Sequence, residues 1–198
     1  MEKLPLIGDH HLPGEIGELL PRVVEALAAQ ADSLAVPLGR TYNGHHMPSR
    51  AEIVTMVELL RSVIFPGFFG NRDITAASLS FHAGATLDRV ALIMIDEIQR
   101  GLCFACERSP DDRVPAECAA EARRVTARFL ERLPELRRRL ALDALAAYQG
   151  DPAAPSPAEA IFCYPGVLAL TSHRIAHELH LLGAPLIPRI ISEDAHSR

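Results

Sequence analysis

The sequence predicts an all-α protein, and three observations predict it. Ala and Leu together number 55, against 29 for Val, Ile and Thr, the β-branched residues that enrich strands. Apolar residues recur at three- and four-residue steps along most of the chain, the period of one helix face. Ser49-Arg50-Ala51-Glu52 and Ser156-Pro157-Ala158-Glu159 are capping boxes, the local signature of a helix start.

The elements follow in order. Residues 1–12 are short and mixed, and the adjacent His10 and His11 read as solvated surface. Ile16, Leu19, Leu20, Val23, Leu27 and Ala31 form one helix face from about Gly14, which Pro21 should kink or split. Residues 36–47 form a connector. The second helix starts at Ser49, whose hydroxyl is placed for the amide of Glu52, with Glu52 reaching back to the amide of Ser49. Its buried stripe is Ile53, Val54, Val57, Leu60, Val63 and Ile64, and Pro66-Gly67 stops it. Phe65, Phe68 and Phe69 cluster at that stop and read as core or interface packing.

A long helix is expected from about Thr75 to Gly101, with Leu79, Ala83, Leu87, Val90, Met94 and Ile98 on one face. Beyond it, Cys103-Phe-Ala-Cys106 reads as two thiols at a helix end. No second CxxC or HxxxH stands at zinc-finger distance, and no βαβ pattern surrounds it. A polar loop at residues 108–113 follows. Val114 or Pro115 opens a helix to about Leu133, and Pro134 fits the first turn of another, making a hairpin. Seven arginines between 123 and 139 lie three or four residues from Glu117, Glu121, Glu131 and Glu135, the spacing of surface ion pairs. Gly150 is a candidate C′ residue, and the Pro-rich stretch 150–157 is a turn or linker. A short helix to Tyr164, a helix to Leu182 with Gly183 as its stop, and a last helix over residues 185–198 complete the reading. The expected division is a leader with the first helix, 1–46, and a helical domain, 47–198.

Composition excludes several function classes. Net charge is −5 with no Trp and 5% aromatics, which argues against phosphate neutralisation or base stacking and hence against nucleic acid. The longest runs without Asp, Glu, Lys or Arg, residues 74–87 and 160–173, are 14 long, too short for a membrane helix. The N-terminus lacks a secretory pattern, so a cytoplasmic protein with reduced cysteines is expected. His173, His177 and His180 share a helix face, but Arg174 follows His173 where a zincin needs Glu, so they read as surface histidines. No metal site, P-loop, GxGxxG or GxSxG is apparent, and periodicity alone supplies no chemistry.

Several separate motifs do point to a family. Met47-Pro-Ser-Arg-Ala-Glu-Ile, Phe65-Pro-Gly-Phe-Phe-Gly, Asp151-Pro-Ala-Ala, Tyr164-Pro-Gly-Val-Leu-Ala-Leu, His173-Arg-Ile-Ala-His-Glu-Leu and the stretch from Pro185 to Arg198 stand in order. Together they resemble serine acetyltransferase, which makes O-acetyl-L-serine from L-serine and acetyl-CoA in cysteine biosynthesis. The resemblance covers residues 48–198 and is densest from Asp151 on; residues 1–40 and 103–113 carry none.

The resemblance implies that this chain is the family's N-terminal helical domain. In the family that domain is followed by a left-handed β-helix of hexapeptide repeats holding the catalytic His–Asp dyad and the acetyl-CoA groove. No hexapeptide repeat stands in these 198 residues. No catalytic residue is therefore assigned, and His173, His177 and His196 do not match the catalytic motif. The chain alone is expected to be inactive and to bind no cofactor itself, acetyl-CoA being the co-substrate of the full enzyme. One position carries over: Asp151 matches the family's substrate-binding Asp, which meets the α-ammonium of L-serine or of the inhibitor L-cysteine. The bland alternative is an Asp that stabilises a Pro-rich turn. Further implied partners are a second copy of the chain through the helical domain and O-acetylserine sulfhydrylase through a segment beyond residue 198. The alternative function is a free-standing α-helical oligomerisation or interaction module without catalysis, and a metal or redox protein using Cys103 and Cys106 is the third.

Overall fold

The computed structural model describes residues 14–30, 41–42, 45–106 and 115–197. His10, His11 and the expected loop at 108–113 lie outside them. Contacts divide the chain into two units, residues 1–41 and 42–198. In the first, α1 (Gly14–Ala29) runs unbroken through Pro21, so the expected split does not occur. The ring removes one backbone bond without ending the helix, and Leu19, Leu20, Val23 and Leu27 are all exposed along it.

The second unit is helical. Two-residue strands, β1 (Thr41–Tyr42) and β2 (His45–His46), pair with each other, and no coil of a β-helix occurs among the described residues. Six helices follow: α2 (Arg50–Ile64), α3 (Leu79–Cys106), α4 (Pro115–Gly150), α5 (Pro157–Cys163), α6 (Pro165–Leu181) and α7 (Ile187–His196). None of the described helices is long and apolar enough to cross a membrane.

The N-terminus of α2 keeps half of its expected capping box. Ser49 Oγ accepts from the Glu52 amide at 3.4 Å. The Ser49 amide, however, donates to Oε2 of Glu97 on α3, at 2.5 Å, rather than to Glu52. Glu97 is 2% exposed: a buried carboxylate needs a donor, and the loose amide ahead of α2 supplies it. The second box does not form. Pro157 stands at the start of α5 as expected, but Ser156 makes no side-chain cap.

The expected hairpin at Pro134 is instead one continuous helix of 36 residues. Proline inside a helix costs about 3 kcal/mol by deleting a backbone bond. Here Pro134 lies on the exposed face, where water can serve the carbonyl left over. On the opposite face Cys118, Ala122, Val125, Phe129, Leu133, Leu136 and Leu140 are buried without interruption across the proline. Burying each large apolar side chain is worth about 1.5–3 kcal/mol, so packing outweighs the break. The arginines do pair on the solvated face, Arg124 with Glu121 and Arg138 and Arg139 with Glu135.

The core lies between α2, α3, α4, α6 and α7, filled by Ile53, Met56, Leu60, Met94, Ile98, Phe129, Leu140, Ile175, Leu179 and Ile187. Phe65 joins it, and Phe68 and Phe69 pack against its edge. Phe69 stacks on Phe162 of α5 with ring centroids 6.5 Å apart, so the aromatic cluster is largely consumed inside the fold. At the other end Gly183 stops α6 as the sequence indicates, with φ +81°. Its amide donates to His180 O at 2.9 Å and that of Ala184 to Leu179 O at 3.0 Å, a complete Schellman motif. Gly150 differs: it is the last helical residue of α4, not a left-handed stop.

Candidate functional site

Asp151 follows directly on the C-terminus of α4, so the longest helix in the chain positions it. Its amide continues the last turn by donating to Tyr148 O at 3.3 Å, and its own carbonyl accepts from Ala154 at 3.1 Å. The side chain folds over this turn. Oδ1 accepts from the Ala153 amide at 2.9 Å and Oδ2 accepts from the Tyr164 hydroxyl at 2.5 Å.

Tyr164 is held as firmly as the aspartate. It ends α5, donating its amide to Ala160 O, and begins α6, its carbonyl accepting from Val167 and Leu168. Pro165 behind it restricts Tyr164 to the extended backbone seen there, φ −82° and ψ 117°. The ends of α4 and α6 are thereby fixed to one another through two side chains. A forked ion pair repeats the link further along: Arg174 Nε and Nη2 donate to Asp143 Oδ2 and Oδ1 at 2.5 and 2.7 Å.

These contacts shift both acids. The hydroxyl of Tyr164, with the Ala153 amide second, holds the Asp151 carboxyl below its ordinary value of 3.8. The same bond pushes the Tyr164 phenol up to about 12. Asp151, an anion at neutral pH already at its ordinary value, keeps its charge further into acid. A carboxylate has about four acceptor positions, and two are used, so this half-buried residue retains capacity for an incoming cation.

Other candidates separate. His173, His177 and His180 are exposed on α6, as the sequence indicates, and the rings of His173 and His177 stack at 5.9 Å. No group of three or more metal-ligating side chains occurs among the described residues. Cys103 and Cys106 lie within α3 rather than beyond it.

Two residues escaped the sequence reading. Tyr164 stood in a recognised motif without a role; a residue pinned between two helices by a following proline was the available signal. Arg61 on α2 occupies a position that periodicity reserves for an apolar side chain, yet it is only 4% exposed. Its guanidinium reaches Glu58 at 2.9 Å, Ser172 Oγ at 2.7 Å and Leu168 O at 3.4 Å. It lines a recess of about 360 Å³ together with Pro165, Gly166, Leu168, Ala169 and Ala195.

No family model matches the chain. It is 40% identical over 152 residues to the plasmid serine acetyltransferase of Synechococcus elongatus, covering 76% of this chain and 48% of that one. The helical unit is of the serine acetyltransferase type. Serine acetyltransferase of Mycobacterium tuberculosis is 53% identical over 51 residues, 26% of this chain and 22% of its own. Two solved serine acetyltransferases of Entamoeba histolytica share the fold. Isoform 3, crystallised with cysteine, has a TM-score of 0.58 at 23% identity and covers 91% of this chain and 56% of its own. Serine acetyltransferase 1, crystallised with L-cysteine, has a TM-score of 0.56 at 26% identity, covering 90% and 60%. The chain thus spans about half the length of the serine acetyltransferases it matches.

Proposed function

We propose that this chain is the helical domain of a serine O-acetyltransferase, the enzyme that converts acetyl-CoA and L-serine to O-acetyl-L-serine and CoA for cysteine biosynthesis. The observation that carries this reading is the 40% identity over 152 residues to a serine acetyltransferase. Asp151 supports it, a carboxylate held in place by Tyr164 with acceptor positions to spare.

In this reading Asp151 receives the α-ammonium of L-serine, and of L-cysteine as inhibitor, through a charge-assisted hydrogen bond. Tyr164 aims the carboxylate and is a positioning residue. Acetyl-CoA and the general base belong to residues outside this chain. General-base catalysis contributes about 10²–10⁴-fold and positioning of the two substrates adds to it, so the 198 residues purified alone turn over nothing. The domain also assembles with further copies of itself, and the enzyme is cytoplasmic.

The test expresses the reading frame through and past codon 198 and follows CoA release. Serine-dependent release from the continued product, with none from the 198 residues alone, is the expected result. Turnover by the 198 residues alone, or none by the continued product, overturns the proposal.

A further inference from the structure

Cys106 is the last residue of α3 and Cys118 lies in the first turns of α4, and their Sγ atoms are 3.8 Å apart. Neither is in a disulfide. Bond formation needs the sulfurs to close to about 2.0 Å, a movement of roughly 2 Å between two helix ends. The CxxC partner suggested by sequence, Cys103, is less suited. It stands three residues back on the same helix, where Cβ atoms lie about 5–6 Å apart, beyond the roughly 3.5–4.5 Å of a disulfide. Cys103 is also buried in the core, Cys118 is 2% exposed, and Cys106 is half-buried. Cys106 is therefore the thiol of this pair that meets an oxidant first, and Cys118 sits behind it as the resolving thiol.

We propose that Cys106 and Cys118 form a reversible thiol–disulfide pair that clamps α3 to α4, closed by exchange with a low-molecular-weight disulfide such as oxidised glutathione. The Cys106 thiolate attacks one glutathione sulfur, forming a mixed disulfide and expelling one glutathione thiolate. The Cys118 thiolate then attacks the Cys106 sulfur and expels the second. The two protons lost by the cysteines end on the two released glutathione thiols. Two protein thiols are oxidised and one small disulfide is reduced. Helix α4 rises about 1.5 Å per residue, which puts this pair at the opposite end of it from Asp151. The clamp is independent of the serine pocket.

Exposing the full chain to excess oxidised glutathione and mapping tryptic peptides without reduction tests this. Trypsin separates residues 101–108, which hold Cys103 and Cys106, from residues 114–123, which hold Cys118. The expected product is a linked pair of those peptides, still formed in Cys103→Ser and replaced in Cys118→Ser by glutathione bound to Cys106. The linked form should melt roughly 6–12 °C higher than the reduced form, and dithiothreitol should reverse the gain. A bond within residues 101–108, a link between chains through Cys163, or glutathione adducts alone in the wild type would each overturn the proposal. The wild-type map decides it even where a variant does not fold.

Discussion

The hydroxyl of Tyr164 donates to Oδ2 of Asp151 across 2.5 Å, tying the residue that opens α6 to the turn that ends α4. A turn-stabilising aspartate and a ligand-binding aspartate are usually alternatives, but the contacts that stabilise this turn occupy only two acceptor positions and leave room for the proposed ligand role. The Ala153 amide and the phenol hold the carboxylate in place, and among the described residues no further donor reaches it.

Tyr164→Phe should raise the Asp151 pKa toward its ordinary 3.8 by removing the largest cause of its depression. A carboxyl depressed in the folded state adds stability above its unfolded pKa and loses it as pH falls. The variant should therefore show a shallower loss of stability in acid than the wild type. Carboxyl titration by NMR checks the pKa, and urea midpoints against pH check the slope. In the reciprocal direction, Asp151→Asn should let Tyr164 ionise well below about 12.

Glu97 has the opposite sign. Burial raises its pKa above 4.5, and the Ser49 amide offsets this only in part. The folded protein then holds its proton more tightly than the unfolded chain, so this group's contribution falls as pH rises through the raised pKa. Glu97→Gln keeps an acceptor for Ser49 and cannot ionise. Its stability should lack that decline, as read from denaturant midpoints between acid and neutral pH.

Gly101 is buried in α3 where a Cβ would stand 2.7 Å from Pro185 O. The same carbonyl accepts from Ile187 at 2.7 Å in a γ-turn centred on Leu186, φ 64°, a strained turn with little freedom to shift. Gly101→Ala gains about 1 kcal/mol of helix propensity and meets an overpacking cost of roughly 1–3 kcal/mol. A net loss of stability is expected in chemical denaturation. Unchanged or raised stability would show that α7 yields.

Self-association should be visible by sedimentation, with a mass above the 21.6 kDa monomer. The apolar surface available for it is not the Phe65 cluster. Phe81 on α3, Leu142 and Leu145 on α4 and Phe162 on α5 are exposed instead.

The sequence conveyed much of this fold and little of its connections. Some local signals survived, since Ser49 caps α2, Pro157 opens α5 and Gly183 closes α6, whereas Ser156 makes no side-chain cap and Gly150 is no left-handed stop. The misreadings came where distant residues outbid local ones. Pro134 marked a helix boundary by propensity, but the buried stripe from Phe129 to Leu140 carries the helix across it. Glu52 was the local partner for the Ser49 amide, and the buried Glu97, 48 residues away in sequence, takes it instead. The cysteines follow the same rule, since Cys106 approaches Cys118 on another helix and not its CxxC neighbour. For the candidate site, resemblance pointed to Asp151, whereas the phenol of Tyr164, 13 residues on, became apparent only with α4 and α6 in place.

Steady-state kinetics of Asp151→Asn, in the chain continued past residue 198, tests the ligand role most directly. Losing the charge that meets the substrate ammonium should lower kcat/KM for L-serine about 10- to 150-fold and weaken L-cysteine inhibition in parallel. KM for acetyl-CoA should hardly change. Normal serine kinetics combined with a lowered melting point would contradict the account and leave Asp151 a turn residue only.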